Sequence, residues 1–200
     1  MENYKEETIN HYNQNAKKLS EKFKDLMDLS RRNEFPKFIE LLKGKKILDL
    51  GCGAGDHSLY FKEKGLDVVS IDISEKMIEL CKEKGIDAKI MDIENLQFEN
   101  KTFDGIWSVT SLLHVPKSKI KDVIKKLHDI LKDDGILYVC VKEGNGEGLL
   151  EHTNTKRFFS FWQEQELIDT FKDNFELIEN KKIQLKDTIF IEMFFKKKIS

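Results

Sequence analysis

Apolar side chains in the first 43 residues recur at three- and four-residue steps, which is the spacing of one face of an α-helix. One series is Ile9, Tyr12, Ala16, Leu19 and Phe23, and a second is Phe35, Phe38, Ile39 and Leu42. Gly44 then provides a stop for the second helix. The pattern predicts a charged, helical segment over residues 1–44 that precedes the rest of the fold.

From Lys46 onward, short apolar runs alternate with helical patterns. The runs that predict parallel strands are Ile47–Leu50, Val68–Ile71, Ala88–Met91, Phe103–Val109 and Ile136–Val141. Helical patterns lie between them over Asp56–Lys64, from Ser74 to Gly85 and from Ser118 to near Gly135. Alternation of this kind favours a doubly wound α/β sheet with right-handed crossovers.

The C-terminal third departs from this alternation. A polar loop over 142–148 is followed by a helix around Gln163–Lys172 and by two strand-like runs, Phe175–Glu179 and Thr188–Phe195. Too few residues separate these runs for a helical crossover, so they are expected to pair as an antiparallel hairpin. The prediction is one domain over 1–200: a helical cap or lid over 1–44 and a Rossmann-like core over 45–200 with a mostly parallel seven-stranded sheet.

Charge and composition narrow the function classes. The 200 residues include 34 basic and 36 acidic side chains, for a formal charge of −2. A protein that grips bare nucleic acid usually carries a strong basic excess, so this balance argues against such a partner. The three cysteines show no metal-ligand spacing and are expected to be reduced. Because no long apolar run is found, the expected location is cytoplasmic, away from membranes.

The segment Ile47–Gly55 carries the strongest functional signal. An apolar strand runs into three glycines at alternate positions, and glycine permits positive φ and close approach of a ligand. A dinucleotide fingerprint would have its third glycine at Asp56, which argues against a nicotinamide-dependent oxidoreductase. With Asp49 the segment spells D-x-G-x-G-x-G and resembles motif I of the class I S-adenosylmethionine (SAM)-dependent methyltransferases. The resemblance implies that SAM's methionine portion contacts Asp49, Gly51, Cys52, Gly53 and Gly55.

Acidic residues at the next two strand ends match the same family. Asp72 ends the second strand, 17 residues after Gly55, where one carboxylate can accept hydrogen bonds from both ribose hydroxyls. The resemblance implies that Asp92 binds the adenine amino group. The remaining expected cofactor contacts are Ile73, Met77, Ile93 and Ser108. A helix cap at Asp72, a solvated turn at Asp92 and plain core packing at Ile73 and Met77 are the alternatives.

The end of the fourth strand separates the methyltransferase subclasses. Residues 106–116 lack the Asn/Asp-Pro-Pro-Tyr/Phe signature used on amino nitrogens and the Pro-Cys nucleophile used on cytosine carbon. They resemble the broad group that acts on small molecules and on some tRNA or protein targets. His114 is a candidate general base, since histidine titrates near neutral pH. The alternative is that His114 packs beside the cofactor or caps the following helix.

Four residues are candidates for binding the methyl acceptor: Tyr12, Arg31, Lys142 and Arg157. Cations beside aromatic side chains suit a planar or anionic acceptor, although the aromatics after Arg157 can equally anchor this segment to the core. The predicted function is methyl transfer from SAM to an O, N or S atom of a small molecule, leaving S-adenosylhomocysteine (SAH). RNA methylation and SAM binding without turnover are the alternatives, and a monomer or homodimer is expected.

Overall fold

A seven-stranded sheet forms the centre of the protein, and a separate two-stranded sheet lies beside it. The computed structural model describes residues 3–26, 33–152 and 154–199. Its strands are β1 (Lys46–Leu50), β2 (Asp67–Asp72), β3 (Ala88–Ile90), β4 (Phe103–Val109), β5 (Leu131–Lys142), β6 (Glu147–His152), β7 (Thr155–Ser160), β8 (Phe175–Leu185) and β9 (Thr188–Lys197). The large sheet has the order β3-β2-β1-β4-β5-β9-β8, with β1 to β5 parallel and β9 antiparallel to β5 and β8. This confirms the predicted mostly parallel sheet with an antiparallel C-terminal hairpin.

Helices cover both faces of the large sheet. They are α1 (Tyr4–Leu26), α2 (Glu34–Leu41), α3 (Asp56–Glu63), α4 (Glu75–Glu83), α5 (Ile120–Ile130) and α6 (Glu164–Phe171). Ile47 of β1 packs in an aromatic cluster with α2 and α3, while the adjacent Leu48 packs in the cluster that contains α5 and α6. Because successive side chains of a strand point to opposite faces, a doubly covered strand is apolar along its length. Among the described helices, none is long and apolar enough to cross a membrane.

The long helix α1 joins α4 to the two-stranded sheet. Ala16 and Leu19 pack against Met77 of α4. Near the other end of α1, the backbone N–H of Phe158 in β7 donates to the hydroxyl of Thr8 at 3.0 Å. The helix therefore bridges two elements that stand on either side of the carboxyl ends of the parallel strands.

The two-stranded sheet corrects the expectation of a polar loop after β5. β6 and β7 pair antiparallel, with Leu149 opposite Phe158. The prediction was wrong because three glycines and charged residues hide the strand pattern over 144–152, and Leu149 and Leu150 remain 40% and 42% exposed. A lone hairpin is marginal in water, so this one depends on Phe158 and Phe159, which are buried against the rest of the protein.

Two element boundaries also differ from the prediction. The helix α5 ends at Ile130, and Leu131 already pairs with Phe103 in the sheet, whereas the apolar pattern extends the helix to near Gly135. The strand β8 continues to Leu185 instead of ending at Glu179. Its outer half escaped prediction because the polar residues 180–182 interrupt the apolar run.

Candidate active site

A cavity of about 760 Å³ opens at the carboxyl ends of β1, β2 and β4. The strand order reverses between β1 and β4, and open α/β sheets bind ligands at such a switch point. The cavity is lined by α1 through Thr8 and Tyr12 and by β7 through Arg157 and Phe159. Its volume falls within the ~300–1,000 Å³ range of ligand pockets. One cavity therefore contacts both the glycine loop and the residues predicted to bind the acceptor.

The loop after β1 presents bare backbone to this cavity. Gly51 and Gly53 have φ values of 75° and 54°, which residues with a side chain rarely adopt. A Cβ atom on Gly51 would lie 2.4 Å from Cβ of Ser111, whereas one on Gly53 would meet nothing within 4 Å. Gly51 therefore allows the loop to pack closely against the segment after β4, and Gly53 leaves space for a ligand.

Asp72 holds the glycine loop from the end of β2 and also lines the cavity. Its Oδ2 accepts from the backbone N–H of Gly53 at 2.9 Å, and its Oδ1 accepts from that of Ser74 at 2.8 Å. These bonds occupy only part of the about four acceptor positions of a carboxylate. Burial raises the pKa of Asp72, while the backbone donors oppose that rise. The helix cap expected as the alternative belongs to Ser74, whose hydroxyl accepts from the N–H of Met77 at 3.2 Å.

Asp92 lines the cavity after β3 and is tied to α1. Its Oδ2 accepts from Nζ of Lys5 at 2.6 Å, and its Oδ1 accepts from the N–H of Glu94 at 2.9 Å. The hydroxyl of Tyr4 donates to the Glu94 carboxylate, so α1 is attached here by two side chains. Ile73, Met77 and Ile93 line the same cavity, as an adenine site requires.

Three of the residues predicted to contact the cofactor, Asp49, Gly55 and Ser108, do not line the described part of the cavity. Asp49 is 2% exposed, and its Oδ2 accepts from the hydroxyl of Ser58 in α3 at 2.6 Å. Ser108 is fully buried, with its Oγ 2.8 Å from Oγ of Ser111. Gly55 begins α3 with a φ of 82°. Asp49 and Ser108 are therefore buried in the core, and Gly55 lies at the junction between the loop and α3.

The position of Asp49 has an electrostatic consequence. Burial raises the pKa of this carboxyl to about 7, and the nearby Asp72 adds to the rise while the hydrogen bond from Ser58 opposes it. Because side chains alternate along β1, Asp49 points with Ile47 toward the face covered by α3. The acidic residue of the motif therefore lies in the core, where it accepts a hydrogen bond from Ser58 of α3.

His114 connects the segment after β4 with α1 and β7. Its Nδ1 lies 2.6 Å from the carbonyl oxygen of Phe158, which can only accept, so Nδ1 carries the proton. Nε2 therefore accepts from the hydroxyl of Tyr12 at 2.8 Å. Burial lowers the pKa of His114 to about 3, and the positive charges of Arg157 and Lys142 contribute to this shift. The imidazole is neutral at physiological pH, with both nitrogens engaged.

Two cationic side chains flank one aromatic ring beside His114. The centroid of the Phe159 ring is 4.5 Å from Nζ of Lys142 and 4.9 Å from Cζ of Arg157. Nη1 of Arg157 donates to the hydroxyl of Tyr12 at 3.4 Å. The structure thus brings together three of the four predicted acceptor residues, which lie far apart in sequence. The fourth, Arg31, is outside the described residues.

The family described as a methyltransferase domain matches residues 47–135, a range that includes the glycine loop, Asp72 and Asp92. Phosphoethanolamine N-methyltransferase 3 of Arabidopsis thaliana is 35% identical to this chain over 94 residues. Both comparisons therefore place methyltransferases among the proteins similar to this chain, as the resemblance of the glycine loop implies. The match covers 44% of this chain and 19% of the plant protein, so the chain spans about a fifth of that relative's length.

Solved structures share the fold of this chain. The DhpI–SAH complex has a TM-score of 0.82 and 15% identity, with 98% of each chain covered. The 1,6-didemethyltoxoflavin-N1-methyltransferase of Burkholderia thailandensis, solved with 1,6-didemethyltoxoflavin and SAH, has a TM-score of 0.67 and 19% identity. That alignment covers 91% of this chain and 86% of the Burkholderia chain.

The lining of this cavity fits SAM. Open space next to Gly53, the carboxylate of Asp72 and the apolar side chains of Ile73 and Met77 suit a ligand with an amino-acid tail, a diol and an adenine. Within the described residues, no group of three or more His, Cys, Asp or Glu side chains is placed to hold a metal ion.

Several lining residues of the cavity were missed from the sequence. They include Thr188 and Phe190 of β9. Their place in the cavity depends on how the C-terminal hairpin packs on the sheet, which no local pattern specifies. Thr110 was also missed, and its φ of 53° is unusual for a residue other than glycine.

Proposed function

We propose that this protein transfers the methyl group of SAM to a nucleophilic O, N or S atom of a small molecule and releases SAH. The observation that carries the proposal is a single cavity shared by the cofactor residues and the acceptor residues. The glycine loop and Asp72 border one part of it, and Tyr12, His114 and Arg157 border another. A ligand held by each set would share one space enclosed by α1 and β7.

The residues of the cavity have distinct tasks in this reaction. Backbone N–H groups around Gly53, at the start of α3, favour the cofactor's carboxylate, because unpaired amides and the helix dipole attract an anion. Asp72 accepts from the ribose hydroxyls and at the same time fixes Gly53 through its backbone N–H. Bound SAM supplies an electrophilic methyl group on a sulfonium. The protein contributes alignment of the two reactants, which is the principal requirement of an in-line displacement.

His114 is a positioning residue in this proposal. A general base must accept a proton at working pH, but burial lowers the pKa of His114 to about 3. Its Nε2 already accepts from Tyr12, and its Nδ1–H is held by the Phe158 carbonyl. The imidazole therefore fixes Tyr12 of α1 and the backbone of β7 in place around the acceptor.

The lining on the acceptor side supports a small acceptor. Tyr12, Arg157 and Phe159 of this lining belong to α1 and to the β6–β7 hairpin, which are joined to each other by hydrogen bonds beside the cavity. Two similar proteins have names or titles that specify small molecules, phosphoethanolamine and 1,6-didemethyltoxoflavin. The formal charge of −2 is also unlike the basic excess of proteins that bind RNA.

Incubation with methyl-labelled SAM tests this function. The purified protein is offered the ultrafiltered metabolites, the RNA and the protein of a cell extract in separate reactions. Label is expected in the metabolite fraction. At limiting SAM it should fall at least about tenfold in Asp72→Ala, because a ligand hydroxyl loses a charged acceptor. The matched control is Asp67→Ala, an exposed carboxylate at the start of the same strand. Label in RNA or protein alone, or in no fraction, would contradict the proposal.

A further inference from the structure

A pair of cations meets inside the acceptor part of the cavity. Lys142 ends β5 and Arg157 lies in β7, and both line the cavity with their charged groups within 4.9 Å of the Phe159 ring centroid. Arg157 is only 9% exposed. Two positive charges of this kind repel each other, and the effect is visible in Lys142, whose pKa is lowered first by burial and then by the charge of Arg157.

The surroundings of Lys142 do not neutralise its charge. Its ammonium group faces the Phe159 ring, and among the described residues it forms no ion pair with a carboxylate. Other half-buried lysines in the structure do so: Lys84 bonds to Asp56 at 2.7 Å, and Lys117 bonds to Glu166 at 2.6 Å. A half-buried charge without a carboxylate is costly unless a partner completes the site.

Two polar residues next to the pair carry no negative charge. His114 is neutral, and the hydroxyl of Tyr12, whose pKa burial raises, donates a hydrogen bond to His114. Protonation of His114 is itself opposed by Arg157 and Lys142. The cavity lining also includes the apolar side chains of Leu113 and Phe190.

We propose that Lys142 and Arg157 form an oxyanion-binding subsite, and that the methyl acceptor is a small acid whose carboxylate or phosphate-type group binds there. This inference rests on the proposed function and specifies the class of its substrate. Arg157 offers a planar fork that matches such groups, and Lys142 adds a compact charge beside it. Phe159 lies close to both cations and presents an aromatic ring to the body of the acid.

Calorimetry on the SAH-loaded protein tests the subsite directly. The probes are phenyl phosphate and benzyl alcohol, an acid and a neutral compound that both carry one phenyl ring, measured at constant ionic strength. Phenyl phosphate is expected to bind at least about tenfold more tightly, since hydrogen bonds to a charged group are the stronger kind. Equal binding of the two probes would overturn the proposal.

Substitutions of the two cations test whether they are responsible for the tighter binding of phenyl phosphate. Lys142→Gln and Arg157→Gln should each weaken phenyl phosphate binding about tenfold and leave SAH affinity unchanged. Lys186→Gln, which removes an exposed cation at the cavity rim, is the matched control and should keep the wild-type affinity. Full phenyl phosphate affinity in both cavity variants would overturn the subsite. Lys142→Gln is the safer variant for folding, because Lys142 is half-buried whereas Arg157 is only 9% exposed.

A second measurement uses the unknown substrate itself. The metabolite fraction that accepts label is divided on an anion-exchange column, and acceptor activity is expected in the retained, acidic part. Activity only in the unretained part would overturn the acid assignment while leaving methyl transfer to a small molecule intact. Failure of the proposed function has a different signature, since no metabolite would then take up label before or after the column.

Discussion

At the scale of single residues, two buried groups near the cavity link folding to pH in opposite directions. The pKa of Asp49 rises to about 7 because the carboxyl is buried, and that of His114 falls to about 3 for the same reason. Both groups are therefore held in their neutral form by the fold. The unfolded chain ionises Asp49 earlier as pH rises and protonates His114 earlier as pH falls.

The first prediction concerns the pH dependence of stability. From about pH 4 to 7 the folded state retains a proton on Asp49 that the unfolded state loses, so this group lowers stability as pH rises. From about pH 6.5 down to 3 the unfolded state gains a proton on His114, so this group lowers stability as pH falls. Each of these pKa shifts changes the free energy of unfolding by on the order of 4 kcal/mol over its whole pH window. In the shared window the two effects oppose each other.

Urea unfolding at several pH values separates the two contributions. Asp49→Asn should remove the loss of stability toward neutral pH, and His114→Asn should remove the loss toward acid pH. Asp67→Asn, at an exposed site, serves as the control and should follow the wild type. A pH profile of Asp49→Asn that is parallel to the wild-type profile would refute the buried, protonated state of Asp49.

At the scale of elements, α1 is attached to the core at the end predicted to bind adenine. Lys5 lies 2.6 Å from Oδ2 of Asp92 and 3.1 Å from Oε1 of Glu94, and these groups are about one third exposed or less. Partly exposed ion pairs contribute about 0.2–1 kcal/mol. Because α1 lines the cavity, the attachment is expected to slow ligand exchange.

The second prediction follows from this attachment. Lys5→Gln should release SAH about two- to fivefold faster than the wild type, the kinetic equivalent of one such ion pair. A chase of labelled SAH with excess unlabelled SAH measures the rate. Lys18→Gln, on the exposed side of the same helix, should leave the rate unchanged. Equal release rates in the wild type and Lys5→Gln would mean that α1 does not limit exchange.

The part of the cavity around the glycine loop was predictable because its signals are local. The spacing of three glycines after an apolar strand and the acids at the next two strand ends indicate where parallel strands present their carboxyl ends. Gly53, Asp72 and Asp92 accordingly line the cavity. Asp49 does not, since it lies one position before the turn and the period of the strand directs it into the core.

The acceptor end was only partly predictable. The residue types of Tyr12, Lys142 and Arg157 suggested their chemistry, but the pairing of Tyr12 with His114 joins residues 102 positions apart. That contact depends on the path of α1 over the sheet and on a hairpin whose glycines and charged residues conceal its strands. Packing between distant elements, rather than any local pattern, determines this part of the cavity.

At the scale of the whole molecule, charge is distributed unevenly between surface and cavity. The formal charge is −2, yet the acceptor part of the cavity holds Lys142 and Arg157. Attraction of an acid must therefore arise within the cavity and over a short distance. A formal charge of −2 includes no basic excess for long-range steering, which is the usual means by which proteins attract RNA.

The third prediction uses the salt dependence of binding to distinguish attraction within the cavity from long-range steering by a basic surface. Raising the salt concentration from about 50 to 200 mM should weaken phenyl phosphate binding by no more than about tenfold, because only two cations contact the probe and both are partly shielded from solvent. A protein that contacts six to ten RNA phosphates would lose on the order of 10³–10⁵ in affinity over the same range. Bulk tRNA, added as a competitor at the lower salt concentration, should leave phenyl phosphate binding unchanged. Displacement of the probe by tRNA, with a steep salt dependence, would instead identify the cations as part of an RNA site, and the small-acid acceptor would have to be abandoned.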